Sequence, residues 1–108
     1  MIYLASPYSD PDPAVEQQRF EAVCKVASAL MMQGHRIFSP IAHTHPIAMA
    51  GEMPRGWDFW QEYDREMLGA CDALWVLMLP GWDKSRGIRG ELRMWNDRGP
   101  VKYIAVPK

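Results

Sequence analysis

The sequence has little of what marks the more specialised classes of protein. Two cysteines in 108 residues, Cys24 and Cys71, are too few and too far apart for a disulfide framework or a paired-cysteine zinc site. Each sits in an apolar segment, so two reduced thiols inside the fold are expected, with a single structural disulfide as the alternative. No apolar run approaches the roughly 20 residues that cross a bilayer, so no membrane association is expected. The first residues already read as a strand, which leads us to expect no signal peptide and a cytoplasmic protein. The formal net charge is −1, and lysines and arginines are spread along the chain, with a mild cluster at Lys84, Arg86 and Arg89. The basic stripe of a protein that binds nucleic-acid polymers is missing.

What is present suits one folded domain over residues 1–108. Hydrophobic residues make up 48% and charged residues 23%, ordinary values for a globular chain. A core this small has a thin margin of stability, so association into a homo-oligomer is expected. Five tryptophans stand out, several near Gly or Pro, where they suit a cleft as well as a core.

The apolar pattern predicts alternating strands and helices. Ile2, Tyr3 and Leu4 form a short buried strand ended by Ala5-Ser6-Pro7. Asp12 caps a long helix with Pro13 in its first turn. Phe20, Val23, Ala27, Leu30 and Met31 make its apolar face, and Gly34 closes it. A second strand covers His35 to Ser39. From Ile41 to about Gly56 no period is visible, and a long functional or mobile loop is expected. A second helix runs from about Trp57 to Ala70. Ala73 to Leu79 is apolar throughout, as for a central parallel strand covered on both faces. A third helix runs from Ser85 or Arg86 to Asp97, and Val101 to Val106 is the last strand.

This order predicts an α/β fold: a single doubly wound, Rossmann-like or flavodoxin-like domain with a parallel sheet of about four strands and helices on both faces. Ligands bind beyond the carboxyl ends of such strands. The loops to search are therefore Ser6 to Tyr8, Ser39 to Gly56 and Leu79 to Gly87.

Glu91 falls in the second turn of the third helix, between Ile88 and Leu92, at the margin of the apolar face. There a carboxylate is rigidly held and partly desolvated; as an ordinary helix glutamate it would pair with an arginine in solvent. Gly87 and Gly90 remove bulk around it and would let a ligand approach. Asp64 shares a face with Trp60 and Leu68, an expensive place for an acid unless something uses or satisfies it. It would bind a sugar hydroxyl or move a proton, or else serve as a buried cap or ion-pair partner. Ser85 is a natural N-cap whose hydroxyl would also suit a phosphate or sugar oxygen. Ser6 and Tyr8 are polar loop residues after the first strand, whereas Tyr3 also reads as core. His43 and His45 would share one side of an extended segment. With no third ligand nearby, no metal is expected; contact with a base, proton transfer or a plain loop role remain. Asp58 and Glu62 read as ordinary helix surface.

Three segments in order resemble the nucleoside 2-deoxyribosyltransferase superfamily. They are Ile2-Tyr3-Leu4-Ala5-Ser6-Pro7-Tyr8, then Glu62-Tyr63-Asp64, then Ser85-Arg86-Gly87-Ile88-Arg89-Gly90-Glu91. The chain is most similar to a short bacterial or phage branch and to N-glycosidases of deoxynucleoside 5′-monophosphates. The resemblance implies an enzyme without a cofactor, acting on a small-molecule nucleoside or nucleotide. Glu91 is then the attacking carboxylate, and Asp64 the acid near the sugar and leaving base. Tyr3, Ser6, Pro7, Tyr8, His43, His45, Ser85, Arg86, Gly87 and Arg89 are expected around the substrate, with Ser85 on the phosphate. Two other readings compete: a non-catalytic nucleotide-binding module, and a docking protein whose surface is built on Trp57, Trp60 and Trp82.

Overall fold

A computed structural model describes residues 1–106. The elements are β1 (Ile2–Ala5), α1 (Pro13–Met32), β2 (Ile37–Phe38), α2 (Pro40–Gly51), α3 (Trp57–Gly69), β3 (Ala73–Leu77), a 3-10 turn (Trp82–Lys84), α4 (Arg86–Trp95) and β4 (Val101–Ile104). All four strands are parallel, in the order β2-β1-β3-β4. The α/β doubly wound fold expected from the alternation is the observed one.

Period-two alternation splits the sheet between two cores. Tyr3 and Ala5 of β1, with Leu74 and Val76 of β3, pack against Leu68, Ile88 and Trp95 of α3 and α4. Leu4 and Leu77 pack on the other face, against Val23, Val26 and Ala27 of α1. The chain leaves β1 for β2 on one side and later returns to β3 on the other. The carboxyl ends of β1 and β3 therefore form the crevice where the order reverses.

Helix α1 begins and ends as its sequence dictates. The Asp12 carboxylate accepts from Ala14 N–H at 2.9 Å, Pro13 takes the first turn, and Gly34 sits at φ 98°, where a side chain would be strained. Its buried face runs through Val23, Val26 and Ala27, while Met31 is half exposed.

Three expectations need correction. Residues 40–51 are helix α2 and not a loop: Ser39 caps it by accepting from Ala42 N–H at 3.1 Å, and Pro40 is its first residue. Proline is favoured at that position because its missing N–H has no partner to lose. Pro46 lies inside the helix and is exposed. The strands are also shorter than their apolar runs: β2 has two residues, and β3 stops at Leu77. Helix α4 ends at Trp95 because Asn96 and Asp97 both turn left-handed, which terminates a helix.

No helix among the described residues is long and apolar enough to cross a membrane. Cys24 and Cys71 are both free.

Candidate active site

A cleft of about 530 Å³ opens at the carboxyl ends of β1 and β3, within the roughly 300–1,000 Å³ of small-molecule sites. Its walls come from the β1 loop (Ser6, Tyr8, Ser9), from α2 (Ile41, Thr44, His45, Ala48), from the start of α3 (Trp57, Trp60, Asp64) and from the β3–α4 segment (Gly81, Lys84, Ser85, Gly87).

Glu91 lines this cleft at 4% exposure. It lies three residues after Ile88 and four before Trp95, so the face that packs α4 on the sheet carries Glu91 inward too. The hydroxyl of Tyr3, buried in β1, donates to its Oε2. Burial pushes Glu91 up to about 8; the Tyr3 hydrogen bond opposes that rise and the nearby Asp64 adds to it. Burial also raises the Tyr3 phenol, so it remains a proton-bearing donor.

Asp64 is 6% exposed and pushed by burial to about 7. Among the described residues its Oδ1 has no hydrogen-bond partner, and neither has Ser6 Oγ. Leaving such a group unpaired costs about 1–3 kcal/mol. Two of them lining one cleft mark places for polar ligand atoms. The two acids are thus desolvated together, one anchored by a phenol and the other with a free oxygen.

Cations surround them. Arg19, from α1, donates to the carbonyls of Tyr8 (3.2 Å), Ser9 (3.0 Å) and Pro80 (3.3 Å). It ties the two loops of the crevice together and is in no ion pair among the described residues. Arg55 pairs at 3.1 Å with the buried Glu16, holding the α2–α3 connection against α1. At the rim Arg86 meets Asp58 at 2.7 Å. Ser85 Oγ accepts from Ile88 N–H at 3.2 Å, so it caps α4 while lining the cleft.

Of the residues singled out from sequence, Ser6, Tyr8, His45, Asp64, Ser85, Arg86, Gly87 and Glu91 share this one cleft. Four do not line it. Tyr3 and Pro7 are fully buried; Tyr3 reaches the site only through Glu91. His43 is exposed and packs against Phe38 and Tyr63. On a helix two residues are separated by about 200°, so His43 and His45 face apart and not together. Arg89 is exposed on the outer side of α4, with its guanidinium on the Asp83 carbonyl at 3.4 Å. Gly90 makes room for protein and not for ligand, since the Trp57 indole fills the space over it. Trp57, read from sequence as suited to a docking surface, and Asp58, read as ordinary helix surface, also line the cleft, as do Arg19 and Arg55, which carried no sequence signal because their elements meet only in three dimensions. Among the described residues no group of three or more His, Cys, Asp or Glu is gathered as a metal site.

A family model described as Domain of unknown function (DUF1937) matches residues 1–105. No curated protein matches the chain.

Proposed function

This chain belongs to the DUF1937 family, and we propose that it cleaves the N-glycosidic bond of a deoxynucleotide or deoxynucleoside with Glu91 as the attacking carboxylate. One observation carries the reading. Glu91 is a buried acid at the wall of a ligand-sized cleft, oriented by Tyr3 and electrostatically coupled to Asp64. The resemblance of the strand-one loop and of the Ser85-to-Glu91 segment to the nucleoside 2-deoxyribosyltransferase superfamily supports the same chemistry.

The charge of Asp64 helps to raise Glu91, and a proton near them has two carboxyls on which to sit. The Tyr3 hydrogen bond stabilises charge on Glu91, and among the described residues no such bond reaches Asp64 Oδ1. Burial nonetheless leaves Glu91 (about 8) above Asp64 (about 7), so it is positive charge developing on the sugar that draws out the reactive arrangement, with Glu91 ionised and Asp64 protonated. Glu91 then bonds to C1′ as the C1′–N bond breaks. The bond's electron pair leaves with the base, which takes the proton of Asp64. Water attacks C1′ next, losing a proton to Asp64 and freeing Glu91. A second base in place of water gives transfer. Arg19, Lys84 and Arg86 make the cleft wall cationic, which favours a 5′-monophosphate over an uncharged nucleoside.

The test is release of free base from deoxynucleosides and their 5′-monophosphates, followed by chromatography. The wild-type protein is expected to release base, and Glu91→Gln to lose at least ~1,000-fold. Intact-mass analysis is expected to show a glycosyl adduct on Glu91. A folded protein that binds nucleotides but releases no base, with affinity unchanged in Glu91→Ala, is the binding module instead.

A further inference from the structure

One wall of the cleft has a fixed hydrogen-bond polarity that the glycosyl chemistry does not use. A chain of four side chains runs from the surface of α1 to the cleft. Glu21, an exposed carboxylate, only accepts, and it takes the Gln17 amide N–H at 3.4 Å. Gln17 Oε1 faces His45, whose Nε2 lies 2.9 Å away. An amide oxygen cannot donate, so His45 carries its proton on Nε2. Burial lowers the histidine's proton affinity, so the ring is neutral and Nδ1 keeps a lone pair. The Tyr8 hydroxyl meets that Nδ1 and must donate to it. The proton of Tyr8 is thereby committed, and burial pushes its phenol up to about 12. Tyr8 offers a ligand only oxygen lone pairs.

Thr44 on this wall has the same character, while Arg19, bonded to the Tyr8 carbonyl, and Arg55 also line the cleft as donors. Thr44 spends its hydroxyl proton on the Pro40 carbonyl at 2.9 Å, so it too can only accept. Ile41 and Ala48 line the cleft on either side of Thr44 along α2, and Trp57 and Trp60 of α3 line it as well. The cations Lys84 and Arg86 belong to a different wall, the β3–α4 segment. A heteroaromatic ring suits the α2 wall, and a phosphate suits the other.

We propose that Tyr8 is a specificity residue that accepts from an exocyclic amino group, so that the cleft prefers adenine or cytosine to their keto counterparts. The preference rests on the deoxynucleotide reading above. An amino group presents N–H to the Tyr8 oxygen. A carbonyl at the same place sets lone pair against lone pair unless Gln17 and the His45 tautomer both reverse. Sites built on such a polar match reject the wrong partner by large factors.

The experiment compares dAMP with dIMP and dCMP with dUMP. Base release is measured as kcat/KM for wild type, Tyr8→Phe and Gln17→Met, and Kd is measured in the Glu91→Gln background. The amino member of a pair is expected to win by ~10-fold or more in wild type. Tyr8→Phe brings that ratio close to one. Gln17→Met, an exposed change, is expected to lower it with Tyr8 still in place, because His45 is then free to change tautomer. A wild-type ratio at or below one overturns the proposal, as does an equal loss on both members in the variants, which is a structural effect only. Base release without preference removes this inference and leaves the cleavage reading intact. An amino preference in Kd with no base release does the reverse, and no binding of any of the four overturns both.

Discussion

Trp57 sits so close over Gly90 that a Cβ added to that glycine would fall 2.2 Å from Cζ2 of the indole. The contact joins the first turn of α3 to the second turn of α4, the two helices that carry Asp64 and Glu91. It sets how near those helices come, and so how near the two acids come. Gly90→Ala forces the ring or the helices apart. The expected cost is about 1–3 kcal/mol, read as a fall in Tm of several degrees with a shift in tryptophan emission. An unchanged Tm would show that the helix spacing is set elsewhere.

Tyr3→Phe removes one hydrogen bond and almost no volume. Glu91 then has a desolvated oxygen without a donor, and its proton affinity rises, since the Tyr3 bond is what holds it down. The protein is expected to stay folded while base release falls by ~10–100-fold, the scale of losing one positioned donor. The ascending limb of the pH–rate profile moves to higher pH. A drop in rate with an unmoved profile would mean that Tyr3 acts only as packing.

The same acids make stability depend on pH in an unusual direction. In the unfolded chain they titrate near their ordinary values, about 4; in the folded protein Asp64 is raised to about 7 and Glu91 to about 8. The folded state binds more protons between those limits, so its stability declines as pH rises through the window. Below about pH 4 both states are protonated and this contribution is fully present. Glu91→Gln and Asp64→Asn keep the shape and discard the charge. Each is expected to melt higher than wild type at pH 8 and to gain little at pH 4, in thermal scans at both values. His45, whose affinity for protons is lowered, pulls the other way at acid pH but is common to all three proteins and cancels in the difference.

Lys84 and Arg86 are exposed, so Lys84→Gln with Arg86→Gln leaves the core untouched. The double variant is expected to bind deoxynucleoside 5′-monophosphates ~10-fold more weakly, with a reduced salt dependence. Affinity for the uncharged nucleosides stays near the wild-type value. Titration calorimetry at two salt concentrations separates the cases, and equal weakening of both ligand classes argues against a phosphate on this wall.

Legibility differed sharply between elements. The strands β1 and β3 announced themselves as apolar runs, because a parallel strand covered on both faces has no polar side to show. Helix α1 carried a cap, a proline and a closing glycine in the right order. Helix α2 carried a proline at each of two positions, and Pro40 looked like the end of a strand when it was the start of a helix. That one misreading put His43 beside His45. Glu91 and Asp64 were visible as acids on apolar faces, but the phenol that orients Glu91 lies 88 residues away. Nothing local to Tyr3 distinguishes it from a core aromatic.

Local chemistry along the chain was enough to determine the alternation of strands and helices, the parallel sheet, and the two acids worth watching. Such features depend on neighbours within a turn or two, where spacing alone decides which side chains face inward. Only the folded molecule decided what surrounds those acids: Tyr3 on Glu91, Trp57 over Gly90, Arg19 bridging two loops, and the hydrogen-bonded chain that orients Tyr8. Each of these joins different elements, and the pairing depends on how helices settle on a twisted sheet, which no short-range pattern encodes.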